Sequence, residues 1–165
     1  MKAVAISGSP QSPSKSRTLA ESMLQALASR GCETSLIDLA ALPAEALLAR
    51  RQSLEVDAAI AAVGAADIVI AATPTYRALY TGLLKCFFDL MPQAHLAGKA
   101  CIGLQTGIAP QHALAVEYGF RPLFASLEGL PVAVLYATDA EFVDGIPSED
   151  LRRRLDQAGD RTIRP

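Results

Sequence analysis

The sequence predicts an α/β fold in which a mostly parallel, five-stranded sheet is covered by helices on both faces. Five short apolar runs recur along the chain, and segments with apolar residues at helical spacing lie between them. Alternation of this kind gives strand–helix–strand units, which pair their strands in parallel. The 165 residues are 51% hydrophobic and 19% charged, a size and composition that suit one domain with a substantial core over residues 1–165.

The elements follow from local patterns. The predicted strands are short runs bounded by glycine, proline or polar residues, and they cover 2–7, 33–39, 67–73, 99–106 and 131–138. The predicted helices cover a segment from Ser16 that Gly31 closes, then 53–63, 81–91 and 110–128, the last with Pro110 in its first turn. Residues 40–52 are less regular, although Pro43 suits the start of a short helical turn. From about residue 140 a charged tail predicts a short amphipathic helix with a loose end.

Composition and charge exclude several classes of protein. The formal net charge is −2 without a basic block, which argues against a nucleic-acid partner. The apolar run after Met1 is too short for a secretion signal, and Asp67 interrupts the longest apolar region, 58–72, so we expect no membrane span. Three widely spaced cysteines indicate buried thiols in a reducing compartment, hence a cytoplasmic protein, and we expect no metal site.

The loop after the first predicted strand is rich in hydroxyl groups and leads directly into a helix. The first N–H groups of a helix lack intrahelical acceptors, and together with the helix dipole they form a favourable seat for a phosphate. Hydroxyl and cationic side chains of Ser9, Ser14, Lys15, Ser16, Arg17 and Thr18 fit that interpretation. The glycine patterns of nucleotide triphosphatases and dinucleotide-binding folds are absent. An ordinary capped turn explains the same residues equally well.

Two further loops follow the third and fourth predicted strands, where ligands collect in open parallel sheets. In 73–80, Pro74 fixes the backbone, and Tyr76 and Tyr80 offer flat surfaces for a ring system, although each alone is better explained as a half-buried surface residue. In 106–112, Gly107 permits close backbone approach, and Thr106 and His112 can bond a polar ligand edge. No spacing suggests a catalytic triad, so we expect no catalytic residue of the protein's own and chemistry supplied by a cofactor.

Three segments in this order resemble the NAD(P)H-dependent FMN reductases of the flavodoxin-like superfamily. They are "GSPQSPSKSRT" (8–18), "ATPTYRALYTGLLKCFFDLMP" (72–92) and "LQTGIAPQHALAVEYGFRPLFASLEG" (104–129). The resemblance spans residues 1 to about 138 and is closest to the flavin reductases of two-component alkanesulfonate monooxygenase systems. It implies strand order 2-1-3-4-5, FMN with NADPH or NADH as reductant, and release of reduced FMN to a partner monooxygenase.

The resemblance also implies roles for particular residues. The first loop would contact the flavin phosphate through Ser9, Ser16, Arg17 and Thr18, with Lys15 nearby. The second loop would lie along the flavin ring and ribityl chain with Pro74, Thr75, Tyr76 and Arg77. The third loop would contact the polar edge of the ring through Thr106 and Gly107, with His112 as a weaker candidate. Hydride would pass from the nicotinamide to flavin N5 between stacked rings, with no protein nucleophile or general acid.

Pro122 lies four residues after Tyr118 in the long predicted helix, where its ring clashes with the Tyr118 carbonyl. A π-bulge or a simple proline kink accommodates such a clash. The resembled reductases carry a tyrosine-bearing π-helix at a tetramer interface. We therefore expect a π-bulge near Tyr118 facing another subunit, in a homotetramer or a dimer.

Two other functions stay open at this point: a quinone or azo-dye reductase that retains FMN, and a flavodoxin-like electron carrier, for which the net charge of −2 gives little support. The preference between NADPH and NADH is also open. The tail beyond about 140 is shorter than in the resembled reductases, and whether "SEDLRRRLDQAG" (148–159) replaces their final helix stays open.

Overall fold

The computed structural model describes residues 1–163, which form one five-stranded parallel sheet with helices on both faces. Its strands are β1 (Lys2–Ser7), β2 (Glu33–Asp38), β3 (Ile68–Pro74), β4 (Ala100–Gly107) and β5 (Leu130–Thr138). Their order is β2-β1-β3-β4-β5, and every pairing is parallel. The predicted fold class and strand order are confirmed, and each predicted strand lies within one residue of the observed one.

Within residues 1–163, six α-helices accompany these strands: α1 (Lys15–Ala28), α2 (Ala44–Leu47), α3 (Leu54–Gly64), α4 (Gly82–Asp89), α5 (Ala113–Ala125) and α6 (Glu149–Ile163). Alternate residues of β1 point to opposite faces of the sheet. Ala3 and Ala5 pack with α1 and α6, whereas Val4 and Ile6 pack with α2, α3, α4 and α5. Burial on both faces explains why the strands are continuous apolar runs. No helix within residues 1–163 has the length and apolar character needed to span a membrane.

The C-terminal tail is more ordered than the sequence predicts. After β5 the chain forms a short antiparallel hairpin, β6 (Phe142–Val143) with β7 (Ile146–Pro147), and then α6. Leu151, Leu155 and Ala158 are buried on one side of α6, against α1. Their spacing is the amphipathic pattern that predicts the helix, so the helix is confirmed. The expected loose end falls on residues 164–165, which lie outside the described residues.

The long predicted helix differs from expectation in two ways. It begins as a 3-10 turn over Pro110–His112 and continues as α5, which is α-helical throughout, including at Tyr118 and Pro122. The π-bulge expected near Tyr118 is therefore not the observed geometry. Tyr118 and Pro122 both lie on the exposed side of α5. Water can bond the carbonyl that loses its N–H partner there, so the helix continues without an extra residue in the turn.

Candidate functional site at the carboxyl end of the sheet

Parallel pairing places the carboxyl ends of β1, β3, β4 and β5 side by side, which we call the carboxyl end of the sheet. Ser7 is in register with Ala72, and Pro74 is in register with Thr106. The loops that follow are bonded to one another. The N–H of Gly8 donates to the carbonyl of Ala72 at 2.7 Å, and the N–H of Thr75 donates to the carbonyl of Thr106 at 2.7 Å. The three predicted loops therefore form one continuous surface.

The first loop, residues 8–14, and the first turn of α1 each hold one buried hydroxyl side chain. Ser9 is 2% exposed, and its Oγ donates to the carbonyl of Gln11 at 2.9 Å and accepts from the N–H of Gln11 at 3.1 Å. Ser16 is 1% exposed and its Oγ lies 3.3 Å from the Oγ of Ser14, the residue that caps α1. Within residues 1–163, the N–H groups of Lys15 and Ser16 donate no hydrogen bond. Free backbone donors and buried hydroxyls at a helix N-terminus are the groups that bind phosphate.

The cations predicted beside this loop are already paired with carboxylates. Arg17 Nη1 lies 2.6 Å from Asp38 Oδ2, and its Nε lies 2.9 Å from Glu21 Oε1. Hydrogen bonding to Glu21 is the main cause that raises the pKa of Arg17. Lys15 Nζ lies 3.0 Å from Asp139 Oδ2. The Thr18 hydroxyl donates to the carbonyl of Ser14 at 3.3 Å, within its own helix.

The second loop turns sharply beyond Thr75. Tyr76 and Leu79 exchange backbone hydrogen bonds around Arg77 and Ala78, which have φ angles of 51° and 69°. Thr75 faces inward: its hydroxyl donates to the carbonyl of Thr106 at 2.9 Å. Tyr76 is 46% exposed at the tip of the turn, and Arg77 is also exposed. Thr75 thus faces the third loop, whereas Tyr76 and Arg77 are open to an approaching molecule.

The third loop is tightly packed at Gly107. A Cβ atom there would lie 2.9 Å from Thr75 Oγ1 and would also collide with the Tyr136 hydroxyl, so only glycine fits without displacement. Thr106, beside it, is 3% exposed. His112 lies farther along, in the 3-10 turn, and is half-buried.

Two residues of this surface are absent from the sequence-based prediction. Tyr136 of β5 donates its hydroxyl to the carbonyl of Ala109 at 2.9 Å, and burial raises the pKa of this phenol. Gln105 is completely buried, and its Nε2 donates to Thr75 Oγ1 at 2.8 Å. Gln105 is the one amide in an apolar strand, which is a signal that the sequence offers. Tyr136 carries no such signal because a tyrosine is ordinary in a strand.

Buried polar side-chain atoms without a hydrogen-bond partner are concentrated at this end of the sheet. In residues 1–163 they are Ser7 Oγ, Gln105 Oε1, His112 Nδ1 and Arg154 Nε. The first three belong to the ends of β1 and β4 and to the third loop. Unpartnered buried polar atoms are rare in folded proteins and call for an explanation. A ligand with several polar atoms, one of them anionic, fits the donors of the first loop and these atoms together.

Comparisons with known proteins agree with this geometry. The family model described as "NADPH-dependent FMN reductase" matches residues 1–143. A relative from Pseudomonas fluorescens strain Pf0-1, the NADH-dependent FMN reductase SfnF, is 38% identical and covers 98% of this chain and 89% of its own. The FMN reductase (NADPH) of Escherichia coli K12 is 33% identical and covers 87% of this chain and 76% of its own.

Solved structures show the same architecture. The apo form of an NADH:FMN oxidoreductase superposes with a TM-score of 0.87 at 37% identity, covering 96% of this chain and 86% of the other. A flavodoxin from Streptococcus pneumonia has a TM-score of 0.64 at 18% identity, covering 98% of this chain and 97% of the other, and it shares the fold.

Proposed function

The chain belongs to the family of NADPH-dependent FMN reductases, and on that premise we propose that it supplies reduced FMN to a partner monooxygenase in organosulfur assimilation, with an alkanesulfonate as the substrate of that monooxygenase. FMN and a reduced nicotinamide are the substrates of this family of oxidoreductases. When bound, FMN supplies the hydride-accepting atom, N5 of its ring. The observation that carries the proposal is the pair of buried hydroxyls, Ser9 and Ser16, beside the N–H groups of Lys15 and Ser16, which have no acceptor within residues 1–163.

In this proposal the first loop binds the flavin phosphate. The hydroxyl of Ser16 and the N–H groups that open α1 donate to its oxygens, and the hydroxyl of Ser9 donates by exchanging its acceptor, the Gln11 carbonyl, for the phosphate. Thr18 contributes by holding the first turn through its bond to Ser14. Lys15 and Arg17 lie beside the phosphate as charged neighbours.

The second and third loops bind the rest of the flavin. Pro74 and Thr75 form the floor beside Thr106 and Gly107, because all four lie where β3 and β4 end. Tyr76 and Arg77 border the ring from the exposed turn, open to the nicotinamide. His112 and Gln105 offer unpartnered polar atoms to the polar edge of the ring.

Steady-state kinetics with FMN, FAD and riboflavin, each with NADPH and NADH, test the proposal through the loss of nicotinamide absorbance. We expect sequential kinetics, weak retention of flavin on purification and a strong preference for flavins with a phosphate. If the protein reduces riboflavin as efficiently as FMN, the proposal that the first loop binds the flavin phosphate is contradicted. Ping-pong kinetics with tightly held FMN would instead favour a quinone or azo-dye reductase, and no consumption of nicotinamide would favour an electron carrier.

We also propose that the exposed apolar side of α5 is an interface between copies of this chain, in a homotetramer or a dimer. Leu114 and Tyr118 lie four residues apart on one side of α5 and are 68% and 79% exposed, and Ile108 before the helix is 84% exposed. Tyr118→Ala should lower the oligomer size in gel filtration, with Val143→Ala, also exposed, as the control.

Free thiols at Cys32, Cys86 and Cys101 support a cytoplasmic location.

A further inference from the structure

Arg17 is held by three groups at the mouth of the first loop. Besides Asp38 and Glu21, its Nη1 donates to the Ser12 hydroxyl at 2.9 Å, so the guanidinium bridges the loop, β2 and α1. The two carboxylates differ in burial: the Asp38 side chain is 16% exposed and that of Glu21 is 50% exposed. Water and salt screen the exposed partner more strongly. The charge of Asp38 is therefore the less screened of the two that oppose Arg17, although Glu21 makes the stronger hydrogen bond.

The charges around the start of α1 sum to a negative value. Arg17 and Lys15 contribute two positive charges, and Asp38, Glu21 and Asp139 contribute three negative ones, a formal net charge of −1. The sequence near the loop shows the two cations together, whereas Asp38 and Asp139 come from distant positions. A dianionic phosphate bound at the start of α1 would accept hydrogen bonds from the hydroxyl and N–H groups there, but the net negative charge of the surrounding side chains would repel it.

We propose that Asp38 sets how weakly the protein holds FMN, by neutralising Arg17 beside the phosphate seat. The inference rests on the proposed function, because it requires the flavin phosphate to lie in the first loop. With Arg17 offset by Asp38, binding depends on the neutral donors, Ser9, Ser16 and the N–H groups of α1. A flavin held in this way leaves readily after reduction, as a flavin that serves as a substrate must.

Asp38→Asn (D38N) isolates the charge from the shape of the side chain. The other carboxylate oxygen, Asp38 Oδ1, accepts from the N–H of Ala40 at 3.2 Å and caps the 3-10 turn Leu39–Ala41. Asparagine keeps an oxygen for this bond and is an equally good cap. The substitution therefore removes one negative charge beside Arg17 together with one of its hydrogen bonds, while the cap stays in place and Arg17 keeps its bonds to Glu21 and Ser12.

The experiment measures the dissociation constants of FMN and riboflavin by quenching of flavin fluorescence, at low and at high salt. For D38N we expect FMN to bind about tenfold more tightly, which corresponds to about 1.4 kcal/mol. Riboflavin, which lacks the phosphate, should bind with unchanged affinity. The affinity of D38N for FMN should also fall more steeply with salt than that of the original protein.

The other end of α1 provides a matched control. Arg30 lies 2.9 Å from Asp160 there, also in an arginine–aspartate pair, far along the helix from the first loop. Asp160→Asn changes the net charge of the protein by the same amount and should leave FMN affinity unchanged. If it tightens FMN binding as D38N does, the effect is one of overall charge and the inference is overturned.

Ser16→Ala separates failure of this inference from failure of the proposed function. If Ser16→Ala weakens FMN but not riboflavin, while D38N leaves FMN affinity unchanged or lowers it, the phosphate seat stands and the role of Asp38 is wrong. If neither variant changes the ratio of FMN to riboflavin affinity, the phosphate seat itself is wrong. Should D38N fail to fold, Glu21→Gln provides the same comparison, with a smaller tightening because Glu21 is exposed.

Discussion

The two ends of the parallel sheet differ in how their polar groups are hydrogen-bonded. At the amino end, Lys99 Nζ donates to the carbonyls of Gly64 and Ala66, both at 2.7 Å, and the N–H of Lys2 donates to Asp67 Oδ2 at 2.7 Å. At the carboxyl end, buried polar atoms of Ser7, Gln105 and His112 have no partner within residues 1–163. The same strands supply both ends.

The difference in hydrogen bonding shows which end of the sheet contains polar groups that lower the stability of the fold. A buried polar atom without a partner costs about 1–3 kcal/mol, and satisfied groups avoid that cost. Since the amino end is closed by side chains that reach the nearest carbonyls, its polar groups serve the fold. Under the proposed function, the unpartnered polar atoms of the carboxyl end are available to the flavin. Substitutions at the two ends should therefore separate stability from flavin binding.

The largest effect is expected at the carboxyl end from Gly107→Ala. The added methyl group collides with Thr75 and the Tyr136 hydroxyl, and must displace the loop that borders the flavin. Misplacement of binding groups by about 1 Å can lower the rate about 100-fold, and we expect kcat/KM for FMN to fall by about that factor. Steady-state kinetics at varied FMN concentration measure it.

Gly82→Ala is the control for Gly107→Ala. Gly82 begins α4 near the same end of the sheet, and an added Cβ there has no neighbour within 4 Å. This variant should keep its kcat/KM and its stability. Equal losses in both variants, or full activity in Gly107→Ala, would contradict a flavin site at the third loop.

Much of this contrast is predictable from the sequence, because strands and helices depend on local patterns. Five apolar runs and their bounding glycines and prolines locate the sheet, and "GSPQSPSKSRT" locates the first loop. The pairing of charges is not local. Arg17 meets Asp38 across 21 positions and Lys15 meets Asp139 across more than a hundred, so the sequence shows two free cations where the structure has ion pairs.

Gln105 and Tyr136 are missed for a related reason. Their contribution depends on which face of the strand they occupy and on the groups that reach them from other strands. The register of β4 with β5 places Gln105 opposite Tyr136, and the sequence around each residue does not predict that pairing. At Tyr118 the sequence indicates that the Pro122 ring clashes with the Tyr118 carbonyl. It does not predict whether the helix forms a π-bulge or stays an ordinary α-helix, because that depends on whether water reaches this side of α5.

At the amino end, Lys99→Met should lower stability and leave flavin binding intact. The variant keeps the length of the side chain but leaves the carbonyls of Gly64 and Ala66 without their ammonium donor. We expect the free energy of unfolding in urea to fall by about 1.5–3 kcal/mol, the range for hydrogen bonds to charged groups. The affinity for FMN should stay unchanged.

Lys85→Met provides the comparison for Lys99→Met. Lys85 pairs only with Asp89, in an exposed pair four residues apart on α4, and its loss should cost about 0.3–0.5 kcal/mol. A decrease in FMN affinity in Lys99→Met, at unchanged fold, would show that the two ends of the sheet are not independent.

The smallest effect is expected from Ser7→Ala at the carboxyl end, where Thr81→Val is the comparison because Thr81 also carries a buried hydroxyl group. Thr81 Oγ1 donates to the carbonyl of Gly8 at 2.5 Å and accepts from the N–H of Leu84, whereas Ser7 Oγ has no partner in the described chain. Removing a partnered hydroxyl leaves other groups unsatisfied, so Thr81→Val should lower the free energy of unfolding by about 1–3 kcal/mol. Removing an unpartnered hydroxyl relieves a desolvation cost, so Ser7→Ala should leave the flavin-free protein as stable or raise its stability by less than about 1 kcal/mol. Urea unfolding of both variants without flavin measures the difference. If Ser7→Ala destabilises the flavin-free protein as much as Thr81→Val, the Ser7 hydroxyl has a partner within the fold, and the contrast between the two ends is smaller than the structure indicates.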